Sequence, residues 1–120
     1  WRDGINEGQA LVEATMGITL LVNGAPENHS AVLELQGDTD IVPSNSGALV
    51  RNHALLRKIG GGTSVIQGES MHDGTGGGLR IETVEGTLRL PEPVNFVNGS
   101  VVQAGNGTTI HFYSRFYVFI

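Results

Sequence analysis

The chain has 120 residues, of which 7 are basic and 12 acidic, and its formal net charge is −5. This length fits one domain, and the acidic balance argues against nucleic acid or anionic lipid as a partner. The sequence has no run of about 18 apolar residues, so we expect no membrane insertion. The 18 glycines and a charged fraction of only 16% favour a turn-rich β protein.

The N-terminal segment carries the clearest pattern in the sequence. Apolar residues recur there at a spacing of two, which is the period of a β-strand. We therefore predict one long strand over residues 10–22. The apolar positions are Ala10, Val12, Ala14, Met16, Ile18, Leu20 and Val22.

The C-terminal segment alternates in the same way, and its last strand is rich in aromatic residues. Chain ends are usually loose unless something anchors them. Two terminal strands therefore suggest that the ends close a sheet, within one subunit or between neighbours. The apolar positions are Ile110, Phe112, Phe116, Val118 and Ile120.

Asn-Gly pairs punctuate the chain, and both residues tolerate the positive φ that a two-residue hairpin turn requires. Strands at 94–97 and 100–103 flank Asn98-Gly99, and strands at 79–84 and 87–90 flank Glu85-Gly86. We therefore predict an antiparallel meander in the C-terminal third. Pro91 and Pro93 cannot lie in a central strand, so the chain should cross an edge or change sheet there.

The middle of the chain is less regular. A short helix near 47–59 competes with a strand, because a serine could cap its start, basic residues lie near its end and glycines follow it. The glycine-rich segments 60–62 and 74–78 are predicted to be mobile loops. We find no internal repeat and no domain linker. The sequence thus predicts a single β-sandwich domain over residues 1–120, either immunoglobulin-like or a jelly roll.

Residues that could carry chemistry do not form a recognisable motif. The segment 69–73 contains a serine, a histidine and acids but lacks a nucleophile elbow. Asp38 and Asp40 could bind calcium, although a solvated acidic turn is the favoured interpretation. We therefore predict no enzyme activity, no metal and no cofactor. The four histidines are scattered without metal-ligand spacing: His29, His53, His72 and His111.

Three asparagines lie in formal N-glycosylation sequons, and their glycosylation state stays open: Asn28, Asn98 and Asn106. The sequence begins at Trp1 and has no cysteine. A start without methionine fits a processed, exported protein, and it also fits a fragment. The absence of cysteine leaves the redox compartment open.

The late strands are similar in rhythm to those of chaperone–usher fimbrial subunits. Residues 78–82, 85–87 and 107–117 carry this likeness, with Phe112-Tyr113-Ser114-Arg115-Phe116 matching a Phe-x-Ala-Arg-Tyr-like strand. The segment that resembles the last strand of those pilins lies instead at 8–21. The resemblance implies an incomplete immunoglobulin-like sandwich that a neighbour's strand completes, with 1–22 as the donor or closing strand.

From these observations we expect a non-enzymatic subunit of an extracellular, cell-surface filament that assembles through β-strand exchange with copies of itself or related subunits. A virion decoration or fibre-head jelly roll is one alternative, and an adhesin that binds surface glycan is another. The residues predicted at the subunit interface are Val12, Ala14, Met16, Ile18, Leu20, Phe112, Phe116 and Val118.

Overall fold

The structure, a computed structural model, describes residues 5–6, 10–13, 19–22, 27–28, 32–43, 49–112 and 116–119. These residues form short β-strands and turns and no helix. Every strand pair is parallel, and partners come from successive passes of the chain. The chain therefore winds as a parallel β-solenoid, and the continuously described stretch 49–112 comprises three complete turns.

The strands stack into three faces. The first sheet contains, in order, β1 (Ile5–Asn6), β4 (Glu27–Asn28), β7 (Val50–Asn52), β10 (Ser70–Asp73), β13 (Val94–Val97) and β16 (Phe116–Phe119). The second contains β2 (Ala10–Glu13), β5 (Val32–Gln36), β8 (Leu55–Ile59), β11 (Leu79–Thr83) and β14 (Val101–Ala104). The third has two parts: β3 (Thr19–Val22) with β6 (Asp40–Pro43), and β9 (Thr63–Val65) with β12 (Thr87–Leu90) and β15 (Thr109–Phe112). A bridge between Ile41 and Ile66 links these parts.

Side chains of equivalent position lie above one another in columns along the solenoid. In β5 and β8 alternate residues are buried, as the two-residue period of a strand requires. Register then places Leu33, Leu56, Ile81 and Val102 in one inward column of the second sheet. Such columns fill the interior with aliphatic side chains from all three faces.

The predicted β-sandwich, immunoglobulin-like or jelly-roll, is wrong. The predicted meander is wrong too, because the strands on either side of Asn98-Gly99 belong to different sheets. Asn98 and Gly99 do have positive φ, of 55° and 71°. The predicted positive φ at this turn is therefore confirmed, but the turn forms a corner of the solenoid instead of a hairpin.

The short helix predicted near 47–59 is also absent: Val50–Asn52 and Leu55–Ile59 are strands. Lys58 concealed the strand pattern, because this charged residue points inward and is fully buried. The predicted long strand over 10–22 is replaced, within the described residues, by β2 and β3 in different sheets.

The change of sheet at Pro91 and Pro93 is confirmed. β12 ends at Leu90 in the third sheet, and β13 begins at Val94 in the first. The statement that the chain has no internal repeat is wrong at the level of structure. Stacked residues such as Asn28 and Asn52 are 24 positions apart, whereas Asn52 and His72 are 20 apart, so the repeat has no fixed period.

Candidate functional site

The predicted interface residues of the N-terminal segment are divided between two sheets. Val12 lies in β2 opposite Leu35, and Leu20 lies in β3 opposite Ile41. Their contact with another subunit stays a prediction. The other three, Ala14, Met16 and Ile18, lie outside the described residues.

The predicted interface residues of the C-terminal segment lie at one end of the solenoid. Phe112 ends β15 and packs edge-on against Phe96, with ring centroids 5.9 Å apart and planes at 85°. Phe116 and Val118 lie in β16, opposite Val94 and Phe96 respectively. Phe112 is therefore part of the packing at this end and belongs to the third sheet, whereas β16 belongs to the first.

The structure brings Ser70 and His72 into the geometry of a nucleophile and its base. Ser70 Oγ lies 3.1 Å from His72 Nε2, and the side-chain amide of Asn52 lies 3.1 Å from His72 Nδ1. All three side chains are buried, and Ser70 and His72 have no exposed surface. A serine that no substrate can reach does not act as a nucleophile, so we interpret this cluster as part of the core.

Asn28, Asn52 and His72 form a polar column inside the first sheet. Asn28 donates to the side-chain oxygen of Asn52 at 3.0 Å, and Asn52 donates to the carbonyl of Arg80 at 2.7 Å as well as to His72. Burial lowers the pKa of His72 to about 3, so the ring is neutral at physiological pH. The column thus provides hydrogen-bond partners for its own buried polar groups and for a backbone carbonyl at one corner of the solenoid.

A second polar cluster surrounds Asp73 at the surface of the same corner. Its carboxylate accepts hydrogen bonds from the Asn98 side chain at 2.9 Å and from the backbone and hydroxyl of Thr75 at 3.0 and 2.7 Å. These bonds, that from Asn98 first, hold the pKa of Asp73 well below its usual range, and His53 at 3.5 Å acts in the same direction. The carboxylate thus orders the corner loop.

The acidic pair considered for calcium serves the backbone instead. Asp38 accepts the backbone N–H of Thr63 at 2.8 Å, and Asp40 accepts that of Val65 at 2.9 Å. Within the described residues, no group of three or more histidine, aspartate and glutamate side chains lies together as a metal site. The expectation of no metal and no cofactor stays a prediction.

Burial distinguishes the three sequon asparagines. Asn28 is buried, and its side-chain nitrogen donates to Asn52 and to the carbonyl of Leu55. A glycan on that nitrogen would break the polar column. Asn98 and Asn106 lie at exposed corners. The glycosylation state itself stays open, and His29 lies outside the described residues.

The strongest candidate for an interaction surface is the open end of the second and third sheets. Among the described strands, β14 pairs only with β11, and β15 pairs only with β12. Each strand therefore has one edge with no strand beside it in the described structure. We call this surface, formed by Val101–Ala104 and Thr109–Phe112, the open edge.

The apolar core continues up to the open edge and is incompletely covered there. Ile81, Leu88 and Leu90 are almost completely buried. One turn further along the solenoid, their register partners Val102, Ile110 and Phe112 are only half-buried. Val101 is 49% exposed. A further layer of strand would bury these side chains, at a gain of about 25 cal/mol per Å² of apolar surface.

β14 carries neither of the residue types with which proteins usually protect an edge strand, although its pairing with β11 is irregular between Leu79 and Ile81. Charged residues, especially lysine, and proline normally discourage pairing at an edge. The sequence of β14 is Val-Val-Gln-Ala, which contains neither. The alternation predicts a strand here but pairs it in a hairpin, so the sequence pattern does not reveal the edge. The only signal available was this uncharged composition.

Comparisons with known proteins identify no relative. No family model, no curated protein and no solved structure matches the chain. The resemblance to fimbrial subunits therefore stays untested, although the sandwich fold that it implies is wrong for this chain. In the described part of the chain, no helix is long and apolar enough to cross a membrane.

Proposed function

We propose that the chain is a non-enzymatic structural subunit that builds an extracellular filament by stacking solenoids end to end. The observation that carries this proposal is the open edge, where β14 and β15 have no further strand beside them among the described residues and the apolar core is only half-buried. The occupant that we propose is a second copy of this chain. Its β2 and β3 are the first strands of the second and third sheets, and each pairs on one side only among the described strands.

Both ends of the solenoid therefore offer strand edges of the same polarity. Identical subunits that bind head to tail through two different surfaces form a ring if the rotation between neighbours closes, and a filament if it does not. End-to-end stacking of the solenoids gives a filament. Parallel pairing through main-chain hydrogen bonds would provide the affinity, as in other cases of β-strand addition. Half-buried apolar residues such as Val102 and Ile110 would provide the area that assembly buries.

The first sheet requires an exchange of strands in this arrangement. β16 extends the first sheet one strand beyond the turn that contains β14 and β15. In the proposed filament, β2 and β3 of the next copy continue the second and third sheets. β16 of the first copy then lies beside β4 of the next copy. Within a single subunit, β1 occupies that position. β4 spans only two residues, both of which pair with β1, and the four-residue β16 is long enough to pair with both of them as well. Strand exchange between subunits thus remains the proposed mechanism of assembly, but the exchanged strand continues a solenoid sheet and does not complete a sandwich.

Matched lysine variants test this proposal. Val101 on β14 and Val84 at a corner away from the edge are similarly exposed, at 49% and 45%. Wild type and Val84→Lys should form elongated particles whose mass rises with concentration, measured by light scattering and seen by electron microscopy. Val101→Lys should remain monomeric with an unchanged circular dichroism spectrum, because lysine on an edge opposes pairing.

The contradictory outcomes are equally specific. Wild type that stays monomeric at every concentration, or that forms only closed dimers, would overturn the proposal. Assembly of Val101→Lys at the wild-type concentration would exclude β14 as the contact.

Deletion of residues 1–6 removes the competing β1, and this variant should assemble at a lower concentration than wild type.

A further inference from the structure

Lys58 is the only lysine in the chain, and its side chain is completely buried. It points into the solenoid from β8, close to the corner between the second and third sheets. An unpaired ammonium group in an apolar interior is strongly unfavourable. The groups around the Lys58 ammonium therefore show how the positive charge is stabilised in this part of the interior.

Four backbone carbonyl oxygens surround the ammonium group. Lys58 Nζ donates to the carbonyl of Gly37 at 2.6 Å and to those of Ile59, Gly60 and Gly61 at 2.9 Å each. An ammonium group has only three N–H donors. Four short contacts therefore exceed what directional hydrogen bonds supply, and the arrangement is a cage of oxygens around a positive charge.

The backbone of two stacked corners builds the cage. Gly37 follows β5, and the glycines follow β8 directly above it. Gly60 has φ of +58°, a left-handed conformation that lets the chain turn there at little cost. The cage therefore joins two turns of the solenoid through one cation. Two of its carbonyls, those of Gly60 and Gly61, belong to the segment 60–62 that is predicted to be mobile.

Nearby charge also favours a cation. Burial lowers the pKa of Lys58 from its ordinary value, whereas the carboxylates of Asp38 and Glu85 oppose this shift. Asp38 is fixed by its hydrogen bond from the backbone of Thr63. The site thus combines fixed carbonyl dipoles with carboxylates at a greater distance.

We propose that this corner is a monovalent-cation site which the protein fills with its own lysine. Backbone carbonyls that replace the hydration shell of an ion are how channels accommodate K⁺. The ammonium group of Lys58 is a tethered equivalent of such an ion. Removal of the side chain beyond Cβ should leave a cavity and a cage that accept NH₄⁺ or K⁺ from solution, but not the bulky choline cation.

Chemical rescue of Lys58→Ala tests the site. In choline chloride the variant should melt well below wild type. Replacement of choline by ammonium at constant ionic strength should raise its Tm, by about 5 °C for each tenfold increase in ammonium concentration once the site begins to saturate. The matched control is Arg57→Ala, which removes the neighbouring, outward-pointing basic residue. The melting of wild type and of this control should not depend on which cation is present.

Two results would overturn the proposal. One is a Lys58→Ala variant that melts at the same temperature in choline, ammonium and potassium chloride, or that stays unfolded at every ammonium concentration. The other uses only wild type: because the chain has one lysine, amine-reactive labelling followed by mass spectrometry reports on Lys58 alone apart from the α-amino group. Labelling of Lys58 as fast as the α-amino group would exclude a caged ammonium.

Discussion

The side-chain amide of Asn52 donates to Nδ1 of His72 across 3.1 Å, between adjacent turns of the solenoid. Since Nδ1 accepts this bond, the ring carries its proton on Nε2, which donates to Ser70 Oγ. One asparagine therefore determines the tautomer of the buried histidine. Both residues are inward-pointing members of the polar column, so their contribution to stability can be measured directly.

Acid should destabilise the protein through His72. The folded-state pKa is about 3, whereas the ring in the unfolded chain titrates near 6.5. Below pH 6.5 the unfolded state therefore binds the proton first, and stability is lost as pH falls towards 3. The free energy of unfolding should decrease by up to about 1.4 kcal/mol per pH unit in this window.

His72→Asn is the comparison that isolates this effect, since asparagine extends the existing column and does not titrate. Urea unfolding of both proteins at several pH values measures the difference between their slopes. Carboxylates contribute equally to the two curves. Parallel curves between pH 6.5 and 4 would show that His72 is accessible to protons in the folded state.

Asn52→Asp should be strongly destabilising. The change removes two donors, to the Arg80 carbonyl and to His72, and places a carboxylate in the buried column. We expect a loss of about 2–5 kcal/mol in the free energy of unfolding. Asn106→Asp, at an exposed corner, is the control and should change stability by less than about 0.5 kcal/mol. Equal effects of the two variants would contradict the buried column.

Gly86→Ala should be more destabilising than Gly107→Ala. Both glycines have positive φ, of 80° and 74°, so alanine costs about 1–2 kcal/mol at either position. Only at Gly86 would the new Cβ also lie 2.5 Å from a backbone oxygen, that of Gly62 on the adjacent turn. Urea denaturation should show an additional loss of about 1–3 kcal/mol for Gly86→Ala. Equal losses would mean that the corners are not stacked so closely.

The charged column on the outer face of the second sheet should contribute little. Arg57 lies 3.2 Å from Glu34 on one side and 3.2 Å from Glu82 on the other. These side chains are partly exposed, and such pairs contribute about 0–1 kcal/mol. Arg57→Gln should reduce stability by no more than this, and the difference should shrink in about 1 M salt, where the Debye length is near 3 Å. A larger, salt-independent loss would indicate a packing role.

The sequence predicts the local elements of this fold better than their pairing. Leu79–Thr83, Thr87–Leu90 and Val94–Val97 are strands much as the alternation indicates, and Pro91 and Pro93 mark a change of sheet. Alternation is the same for a strand that pairs in a hairpin and for one that pairs with the next turn of a solenoid. The partner of a strand is therefore not encoded in its own pattern.

The residues that distinguish a solenoid here are the ones that appear anomalous in the sequence. Lys58, Asn52 and His72 are polar residues at inward positions, where they interrupt the apolar pattern. Each of them has at least one hydrogen-bond partner on an adjacent turn, 20 or more positions away. Because that spacing varies, no fixed period appears, and the columns become visible only when the turns are stacked. The open edge also depends on the order in which the turns stack, so the sequence pattern of β14 and β15 alone does not predict it.

The most direct test of the account is whether equivalent strands stack in parallel register. Thr87 and Thr109 are register partners in the third sheet, and the chain contains no cysteine of its own. Strand spacing of about 4.8 Å lies within the Cα separation of a disulfide. The double variant Thr87→Cys with Thr109→Cys should therefore form an intramolecular disulfide under mild oxidation, detected by mass spectrometry. Thr87→Cys with His111→Cys, two residues out of register, should form it far more slowly. A folded Thr87/Thr109 variant that forms no disulfide, or forms it no faster than this control, would contradict the solenoid and the stacking proposed from it.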